Sequence, residues 1–336
     1  MIPVIDMHCD TIWQLYEKRQ RGETVSLRCN SLHLDLLRMK EAGYMCQSFA
    51  LFTHMSEVRK AGIDPYDYAK ALSDTLDGEL RANADLIRPA LSASDIRRNY
   101  REGFLSALKA VEEGGIYKGN PELIREFYRM GVRKSTLTWN FENELAWPNR
   151  PLSGDGIVHS TFEPETEHGL KEAGRQAVLL MEELGMLIDV SHLGDAGICQ
   201  VLETVRPDTP VIASHSNARS VTGNCRNLTD PMLRGIAEHG GLAGIAFAAD
   251  FLSDTQTEVS RISDIITHIR YMVNTAGIDA VGIGTDFDGI ACRLELNGAG
   301  AMQTLADALS GAGFTTGEIE KIFYANALRV YTQVLG

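Results

Sequence analysis

Short apolar segments that alternate with amphipathic segments are the feature that most constrains the fold of this chain. Eight of the apolar segments have the length and composition of buried strands, and they centre near residues 4, 48, 109, 136, 188, 212, 244 and 282. Segments such as 170–184 and 262–275 place apolar residues at helical spacing between them. This alternation indicates parallel strands, and eight such units close most naturally into an α/β fold, a (β/α)8 TIM-type barrel.

A doubly wound open sheet is the alternative fold with the same alternation. That fold usually has a glycine-rich turn after the first strand, whereas this chain has His8-Cys9-Asp10 there. No internal repeat, charge block or low-complexity linker divides the sequence. We therefore expect residues 1–336 to form a single barrel domain.

Composition excludes some classes of partner. The 336 residues are 44% hydrophobic and carry a formal net charge of −13, which disfavours binding to nucleic acid or to an anionic membrane surface. Six cysteines occur without a C-x-x-C pair, and no signal peptide or membrane span is apparent. These features predict reduced thiols in a soluble cytoplasmic protein.

Polar residues with metal-binding chemistry follow five of the eight predicted strands. His8 and Asp10 follow the first strand, Glu112 the third, His192 the fifth, His215 the sixth and Asp286 the eighth. Active sites of TIM-type barrels lie at the carboxyl ends of the strands, so these side chains are expected to meet. They are the candidate functional residues of the chain.

The pair His8 and Asp10 is a weak motif on its own, since it also fits a buried histidine followed by a helix-capping aspartate. Its coincidence with residues at four other strand ends favours a metal site. Imidazole nitrogen mixed with carboxylate oxygen suits zinc, and a carboxylate can bridge two ions. A chance lining of buried polar groups is disfavoured, because unpaired charges buried together are costly without a cation.

The remaining histidines lack a strand-end context, and we expect them in surface or helical positions: His33, His54, His159, His168, His239 and His268. His159 is the exception to consider, because it lies in the long irregular segment 140–166, and loops of this length are often functional. Cys9 lies between two candidate ligands but alternates to the opposite face of its strand, so we expect it to pack rather than react.

Six segments together resemble the membrane (renal) dipeptidase family of zinc metallopeptidases, which fold as amidohydrolase-type barrels. They occur in the family's order across almost the entire chain, as DMHCD at 6–10, VEEGG at 111–115, IDVSH at 188–192, SHS at 214–216, CRNL at 225–228 and GTDFDG at 284–289.

The resemblance implies two Zn2+ ions per chain. The first would be held by His8, Asp10 and Glu112, and the second by Glu112, His192 and His215. Glu112 would bridge the ions, and its neighbour Glu113 is the competing candidate for that role.

The resemblance also implies the substrate and the reaction. Arg226 would bind the free carboxylate of a dipeptide, a task suited to a planar bidentate fork. A hydroxide shared by the two ions would attack the peptide carbonyl, and Asp286 would transfer the proton to the leaving amine.

One position departs from the familiar mammalian pattern. A histidine that is thought to polarise the scissile carbonyl is replaced here by Trp139, which offers only an N–H donor. Asn140, Asn143 or His159 would take over part of that role, or the ions would suffice. We expect Trp139 and Asn140 to contact substrate, although Trp139 fits a hydrophobic pocket wall equally well.

Two alternatives keep the barrel but change the function. A binuclear hydrolase could act on a lactone, a cyclic amide or a β-lactam, and a metal-binding barrel without turnover could serve in assembly or regulation. The complete ligand set and Asp286 argue against the second alternative. A homodimer is the default expectation for a soluble enzyme of this size.

Overall fold

A closed barrel of eight parallel strands forms the centre of the computed structural model, which describes residues 1–151, 162–255 and 257–336. The strands are β1 (Val4–Cys9), β2 (Tyr44–Phe52), β3 (Leu105–Glu112), β4 (Val132–Thr136), β5 (Leu187–Asp189), β6 (Val211–Ala213), β7 (Leu242–Ile245) and β8 (Val281–Ile283). Each strand pairs in parallel with the next, and Asp6 opposite Ile283 joins β1 to β8. The predicted TIM-type barrel is confirmed, and each predicted strand belongs to it.

Helices surround the barrel, most of them between consecutive strands. They are α1 (Thr11–Gln20), α2 (Leu36–Glu41), α3 (Met55–Lys60), α4 (Pro65–Ala82), α5 (Ala93–Arg101), α6 (Pro121–Arg129), α7 (Glu172–Leu184), α8 (Asp195–Thr204), α9 (Asp230–Glu238), α10 (Ala249–Leu252), α11 (Ile262–Ala276), α12 (Met302–Gly311), α13 (Thr316–Glu320) and α14 (Asn326–Leu335). Three 3-10 segments occupy Gly114–Tyr117, Ile278–Ala280 and Ala299–Ala301. None of the helices in the described part of the chain is long and apolar enough to cross a membrane.

Local signals in the sequence set several helix ends. Asn120 caps α6 by accepting a hydrogen bond from the backbone N–H of Glu122 at 3.0 Å, and Pro121 occupies the first helical position. Thr315 and Glu318 form the predicted capping box of α13. Both assignments agree with the sequence-based predictions.

The sequence predicts one C-terminal helix from Thr315 to Val334, but the structure interrupts it. A π-helical turn, Lys321–Ala325, separates α13 from α14. The interruption precedes Asn326, whose side-chain amide donates to the carbonyls of Ile278 and Val281 at 2.7 and 2.8 Å. Single π turns of this kind are local adjustments of helix register, and here the adjustment coincides with the contact to the start of β8.

One strand prediction is corrected, and one short strand was not predicted. The sequence predicts a strand from Lys134 to Trp139, whereas β4 begins two residues earlier and ends at Thr136. The chain turns away before Trp139, whose backbone N–H donates to Glu113 Oε2 at 3.0 Å. A short strand, Ile87–Pro89, pairs with β3 outside the barrel and was not predicted. Two further pairs of short strands join Arg150–Pro151 with Phe162–Glu163 and Val259–Ser260 with Arg293–Leu294.

The core fills the barrel below its carboxyl-terminal edge. Every residue of β1, β2 and β3 is buried. Apolar side chains such as Ile5 and Met7 share this interior with the charged side chains of Lys134 and Asp189. Because the interior is packed, space for a ligand lies at the carboxyl ends of the strands.

Candidate metal centre and active site

Six predicted site residues meet at the carboxyl ends of five barrel strands. They form three overlapping groups whose potential ligand atoms lie within 4.8 Å of one another: His8 with Asp10 and Glu112, Glu112 with His192 and His215, and His8 with His215 and Asp286. The structure therefore brings the whole predicted cluster together.

Glu112 lies between two sets of donors. Its Oε2 atom is 3.1 Å from His8 Nε2, while its Oε1 atom is 3.0 Å from His192 Nε2 and 3.6 Å from His215 Nε2. Asp10 Oδ2 lies 3.7 Å from His8 Nε2 on the first side. Each oxygen of one carboxylate thus faces a different set of ligands, as expected of a group that bridges two cations.

The donor set fits divalent metal ions. His8 Nε2, Asp10 Oδ1 and Glu112 Oε2 are buried without a hydrogen-bond partner, and His192 Nε2 lies only 2.8 Å from His215 Nε2. Buried polar atoms without partners are costly. Cations among these nitrogen and oxygen atoms would satisfy them, and the mixture of imidazole and carboxylate is one that zinc accepts.

The two histidines of the second set are held through their outer nitrogens. Nδ1 of His192 lies 2.8 Å from Asn140 Oδ1, and Nδ1 of His215 lies 2.9 Å from Ser214 Oγ. Such contacts direct the other ring nitrogen of each histidine toward a metal. Asn140, predicted to contact substrate, is thus placed against a candidate ligand.

Glu113 occupies a different environment from Glu112. Its Oε1 atom accepts from Gly115 N and Asn143 Nδ2 at 2.6 and 2.5 Å, and its Oε2 atom accepts from Trp139 N. The residue has a φ of 98°, which turns the chain sharply after β3. Of the two competing glutamates, Glu112 faces the cluster and Glu113 binds the adjacent loop.

Two buried aspartates that the sequence analysis did not single out support the ligand-bearing turns. Asp6 accepts from the backbone N–H groups of His8 and Thr285 at 3.2 and 3.0 Å. Asp189 accepts from those of Ser191 and Ser214 at 3.1 and 2.9 Å. In the sequence, each of these aspartates precedes a candidate histidine ligand by two or three residues, as in Asp6-Met7-His8. This spacing could have identified both aspartates.

Electrostatics differ between the histidines. Burial, with nearby positive groups, keeps the pKa values of His192 and His215 well below the usual range, so both rings are neutral and able to bind metal. Burial also lowers the pKa of His8, but the Glu112 and Asp10 carboxylates outweigh it and raise that pKa to about 10. In the metal-free protein the His8 ring is therefore protonated at neutral pH, and it must lose a proton to bind a metal ion.

The pKa values of two carboxyl groups in the cluster are also shifted by their surroundings. Burial and the neighbouring Glu112 raise the pKa of Asp10 to about 6. Burial, with Asp10 and Glu112 nearby, also raises the pKa of Asp286 well above its usual range. Asp286 Oδ1 lies 3.8 Å from His8 Nε2, and its side chain keeps 13% of its exposure. A carboxyl group at this boundary can reach both the cluster and a substrate.

Arg226 is buried close to the cluster. It is 4% exposed, and its Nε and Nη2 atoms have no hydrogen-bond partner. Its guanidinium carbon lies 5.2 Å from the centre of the Phe251 ring. Burial lowers the pKa of the guanidinium to about 10 against the opposing effect of Asp286, so it stays charged at neutral pH. A buried cation with free donors can recognise a carboxylate.

A cavity of about 870 Å³ opens over the cluster. Its lining is Asp10, Trp13, Phe52, His54, Glu57, Glu112, Trp139, His192, Ala248, Asp250, Phe251, Thr257, Glu258, Asp286, Gly289, Ile290, Ala291 and Cys292. A side chain at Gly289 would collide with Asp10, since a Cβ atom there would lie 2.1 Å from Asp10 Oδ2. The glycine thus keeps the approach to the carboxylates open.

Aromatic rings form one wall of the cavity. The ring centre of Trp139 lies 5.0 Å from Phe52, 4.8 Å from His54 and 6.0 Å from His192. Trp139 therefore lies next to a candidate metal ligand. His54 was expected in a surface or helical position, but it lies on the cavity wall. It follows the end of β2 by two residues, as His215 follows β6, and this strand-end signal could have identified it.

Two further histidines, His268 and His159, lack a strand-end context in the sequence. His268 is fully buried in α11, where Nδ1 accepts from the backbone N–H of Ala218 at 3.2 Å. His159 lies outside the described residues.

The barrel and its cluster of imidazole and carboxylate groups define a metal-dependent hydrolase with an amidohydrolase-type fold. Residues 1–335 match the family model described as membrane dipeptidase, peptidase family M19. The chain therefore belongs to the membrane dipeptidase family, and it is a metallodipeptidase.

Individual relatives agree with this membership. An uncharacterized protein of the pqqA 5′ region from Klebsiella pneumoniae is 31% identical over 275 residues, which span 81% of this chain and 97% of that protein. Dipeptidase tcpJ from Claviceps purpurea (strain 20.1) is 28% identical over 262 residues, covering 78% of this chain and 58% of tcpJ.

Two solved structures share the whole fold. A metallopeptidase of family M19 called dipeptidase AC is 26% identical, with a TM-score of 0.87 and coverage of 100% of this chain and 99% of the other. A metallopeptidase from Rhodobacter sphaeroides, bound to a phosphinate mimic of L-Ala-D-Ala, is 25% identical, with a TM-score of 0.87 and 99% coverage of both chains.

Proposed function

We propose that this enzyme hydrolyses the peptide bond of dipeptides at a centre that holds two zinc ions. His8, Asp10 and Glu112 would hold one ion, and Glu112, His192 and His215 the other. The observation that carries the proposal is the position of Glu112, whose two oxygens face separate sets of donors at 3.0 to 3.6 Å. Bound there, the ions would supply an activated water at neutral pH and polarise the scissile carbonyl.

Asp286 is the proposed proton-transfer residue. It lies on the cavity wall beside the cluster, 3.8 Å from His8 Nε2. Beside bound cations, a carboxylate at this position would accept a proton from the attacking water and return it to the leaving amine. A dipeptide bound in the cavity would bring its scissile bond close to Asp286.

Arg226 is the proposed partner of the substrate's terminal carboxylate. Two of its guanidinium nitrogens are free to donate, and the neighbouring Phe251 lines the cavity. Recognition there would set the scissile bond over the cluster and favour dipeptides over uncharged acyl substrates. Trp139 would form the side wall of the site, while Asn140 would support His192.

A panel of L,L and L,D dipeptides, assayed with and without chelator, tests this function. The L,D compounds belong in the panel because the Rhodobacter sphaeroides relative binds a mimic of L-Ala-D-Ala. We expect hydrolysis that chelator abolishes and zinc restores, with about two ions per chain by elemental analysis. Metal-replete protein that hydrolyses none of these dipeptides would disprove the proposal.

A further inference from the structure

A buried lysine lies below the cluster and has no part in the proposed chemistry. Lys134 is on β4, points into the barrel and is 1% exposed. Its Nζ atom donates to the carbonyl of Met7 at 2.5 Å and lies 3.4 Å from His8 Nδ1. It also lies 3.3 Å from Asp189 Oδ2. A charged side chain is rarely buried without a specific partner, and here the partners lead to the metal ligands.

The partner of His8 distinguishes it from the other two candidate histidine ligands. Nδ1 of His192 faces an amide oxygen, and Nδ1 of His215 faces a hydroxyl oxygen. Nδ1 of His8 faces the Lys134 nitrogen instead. Because a lysine ammonium can only donate, Lys134 holds this strand end through its hydrogen bond to the Met7 carbonyl, next to His8. The position of His8 therefore depends on a side chain from β4, three strands away along the sheet through β2 and β3.

Asp189 extends this connection to the second set of ligands. Its Oδ2 atom faces Lys134, while its Oδ1 atom accepts from the backbone N–H groups of Ser191 and Ser214. Ser191 precedes His192 and Ser214 precedes His215. One buried ion pair thus joins the strand end that carries His8 to the two turns that carry the other histidines.

We propose that Lys134, paired with Asp189, is a positioning residue that sets the spacing between the two halves of the metal centre. This inference rests on the proposed binuclear function. Because the ion pair is neutral as a whole, its effect on bound cations is expected to come from geometry rather than from charge. Outer-shell groups that hold metal ligands in place typically contribute about 10–100-fold to metal affinity.

Lys109 offers a matched control. It is also a buried lysine, 6% exposed, and it pairs with Asp77 at 2.9 Å and with Ser73 at 2.8 Å. These partners lie on α4, outside the barrel. Lys109 lies on β3, three residues before Glu112, but its contacts, which include the Met130 carbonyl at 3.1 Å, do not involve a candidate metal ligand. Lys109→Met therefore removes a comparable buried ammonium whose partners lie away from the metal centre.

The test is a titration of metal-stripped protein with Co2+, followed by calorimetry and by the visible spectrum of the bound ion. Lys134→Met should weaken Co2+ binding by about 10–100-fold and change the spectrum. Lys109→Met should lower the melting temperature but bind Co2+ as wild type does. Normal affinity and spectrum in Lys134→Met, or an equal loss of affinity in Lys109→Met, would overturn the inference.

A double variant covers the case in which Lys134→Met leaves Asp189 unpaired and fails to fold. Lys134→Met with Asp189→Asn removes both charges but keeps an oxygen for the Ser191 and Ser214 N–H groups. We expect it to fold and still bind Co2+ about 10–100-fold more weakly. Restoration of normal affinity would show that only charge balance matters and would also overturn the inference. Wild-type protein that fails to bind Co2+ would instead count against the proposed function.

Discussion

The two halves of the metal centre differ in chemistry although they share Glu112. The half at β1 and β8 combines His8 with the carboxyl groups of Asp10 and Asp286, whereas the half at β5 and β6 offers the neutral rings of His192 and His215. The first half contains two carboxyl groups besides Glu112, and the second contains none.

The two halves are therefore suited to different roles. A carboxylate-rich half can bind a cation and retain a group for proton transfer, while an imidazole half binds a cation without adding negative charge near the substrate. Glu112 is the point at which removal of one side chain should damage both halves.

The largest expected effect is that of Glu112→Gln. Loss of the shared carboxylate should lower the affinity for both ions by more than about 100-fold, beyond the usual effect of outer-sphere partners, and abolish dipeptide hydrolysis. Glu113→Gln is the matched control, because Glu113 binds the adjacent loop and not the cluster. Elemental analysis and activity of both variants measure the contrast. Full metal content in Glu112→Gln would show that the two halves do not depend on Glu112 as a shared ligand.

The second largest effect is expected for Asp286→Asn, which should disturb only the half that contains His8 and Asp10. Loss of the proton-transfer group is expected to lower kcat by about 10²–10⁴-fold while two ions remain bound. Steady-state kinetics with parallel metal analysis distinguishes the two effects. A variant that keeps near-normal turnover with full metal content would exclude this role for Asp286.

Arg226→Ala should have a smaller, substrate-dependent effect. A buried charge pair with a substrate carboxylate contributes about 2–5 kcal/mol, so kcat/KM for dipeptides should fall by at least about 30-fold. Esters or lactones without a free carboxylate should be affected much less. An equal loss for charged and uncharged substrates would show that Arg226 supports the fold of the site and does not recognise the carboxylate.

The smallest effect concerns the pH dependence of stability in the metal-free protein. The pKa of His8 is raised to about 10, so its stabilising contribution is complete below pH 6.5 and is lost as pH rises toward 10. The pKa of His192 is lowered, so its neutral ring costs stability below pH 6.5 and not above it.

Melting temperatures of metal-free His8→Asn and His192→Asn, compared with wild type between pH 5 and pH 9, should therefore diverge in opposite directions. The deficit of His8→Asn should shrink as pH rises. The deficit of His192→Asn should be smallest at acid pH. Parallel pH curves for the two variants would contradict the electrostatic difference between the halves.

Much of this architecture could be predicted from sequence, for identifiable reasons. Most of the buried barrel strands contain apolar runs that made them recognisable, although β4 is largely polar. Polar residues at or directly after the strand ends marked His8, Glu112 and His215. Element ends were less certain. The end of β4 depends on the hydrogen bond from Trp139 to Glu113, which no local pattern encodes.

The residues that surround the metal ligands were harder to predict than the ligands themselves. Lys134 lies in β4, whose sequence Val-Arg-Lys-Ser-Thr is largely polar, and it contacts His8, which is 126 residues away in sequence. His54 reaches the cavity from the start of α3 and packs against Trp139. Contacts between residues so far apart in the chain depend on closure of the barrel, which periodicity predicts only as a class of fold.

The most direct test of the account is a crystal structure of the zinc-loaded protein with anomalous scattering measured at the zinc edge. We predict two anomalous peaks, one beside His8 and Asp10 and the other beside His192 and His215, with one oxygen of Glu112 bound to each. A single peak, or two peaks without Glu112 between them, would contradict the binuclear centre on which the proposed function depends.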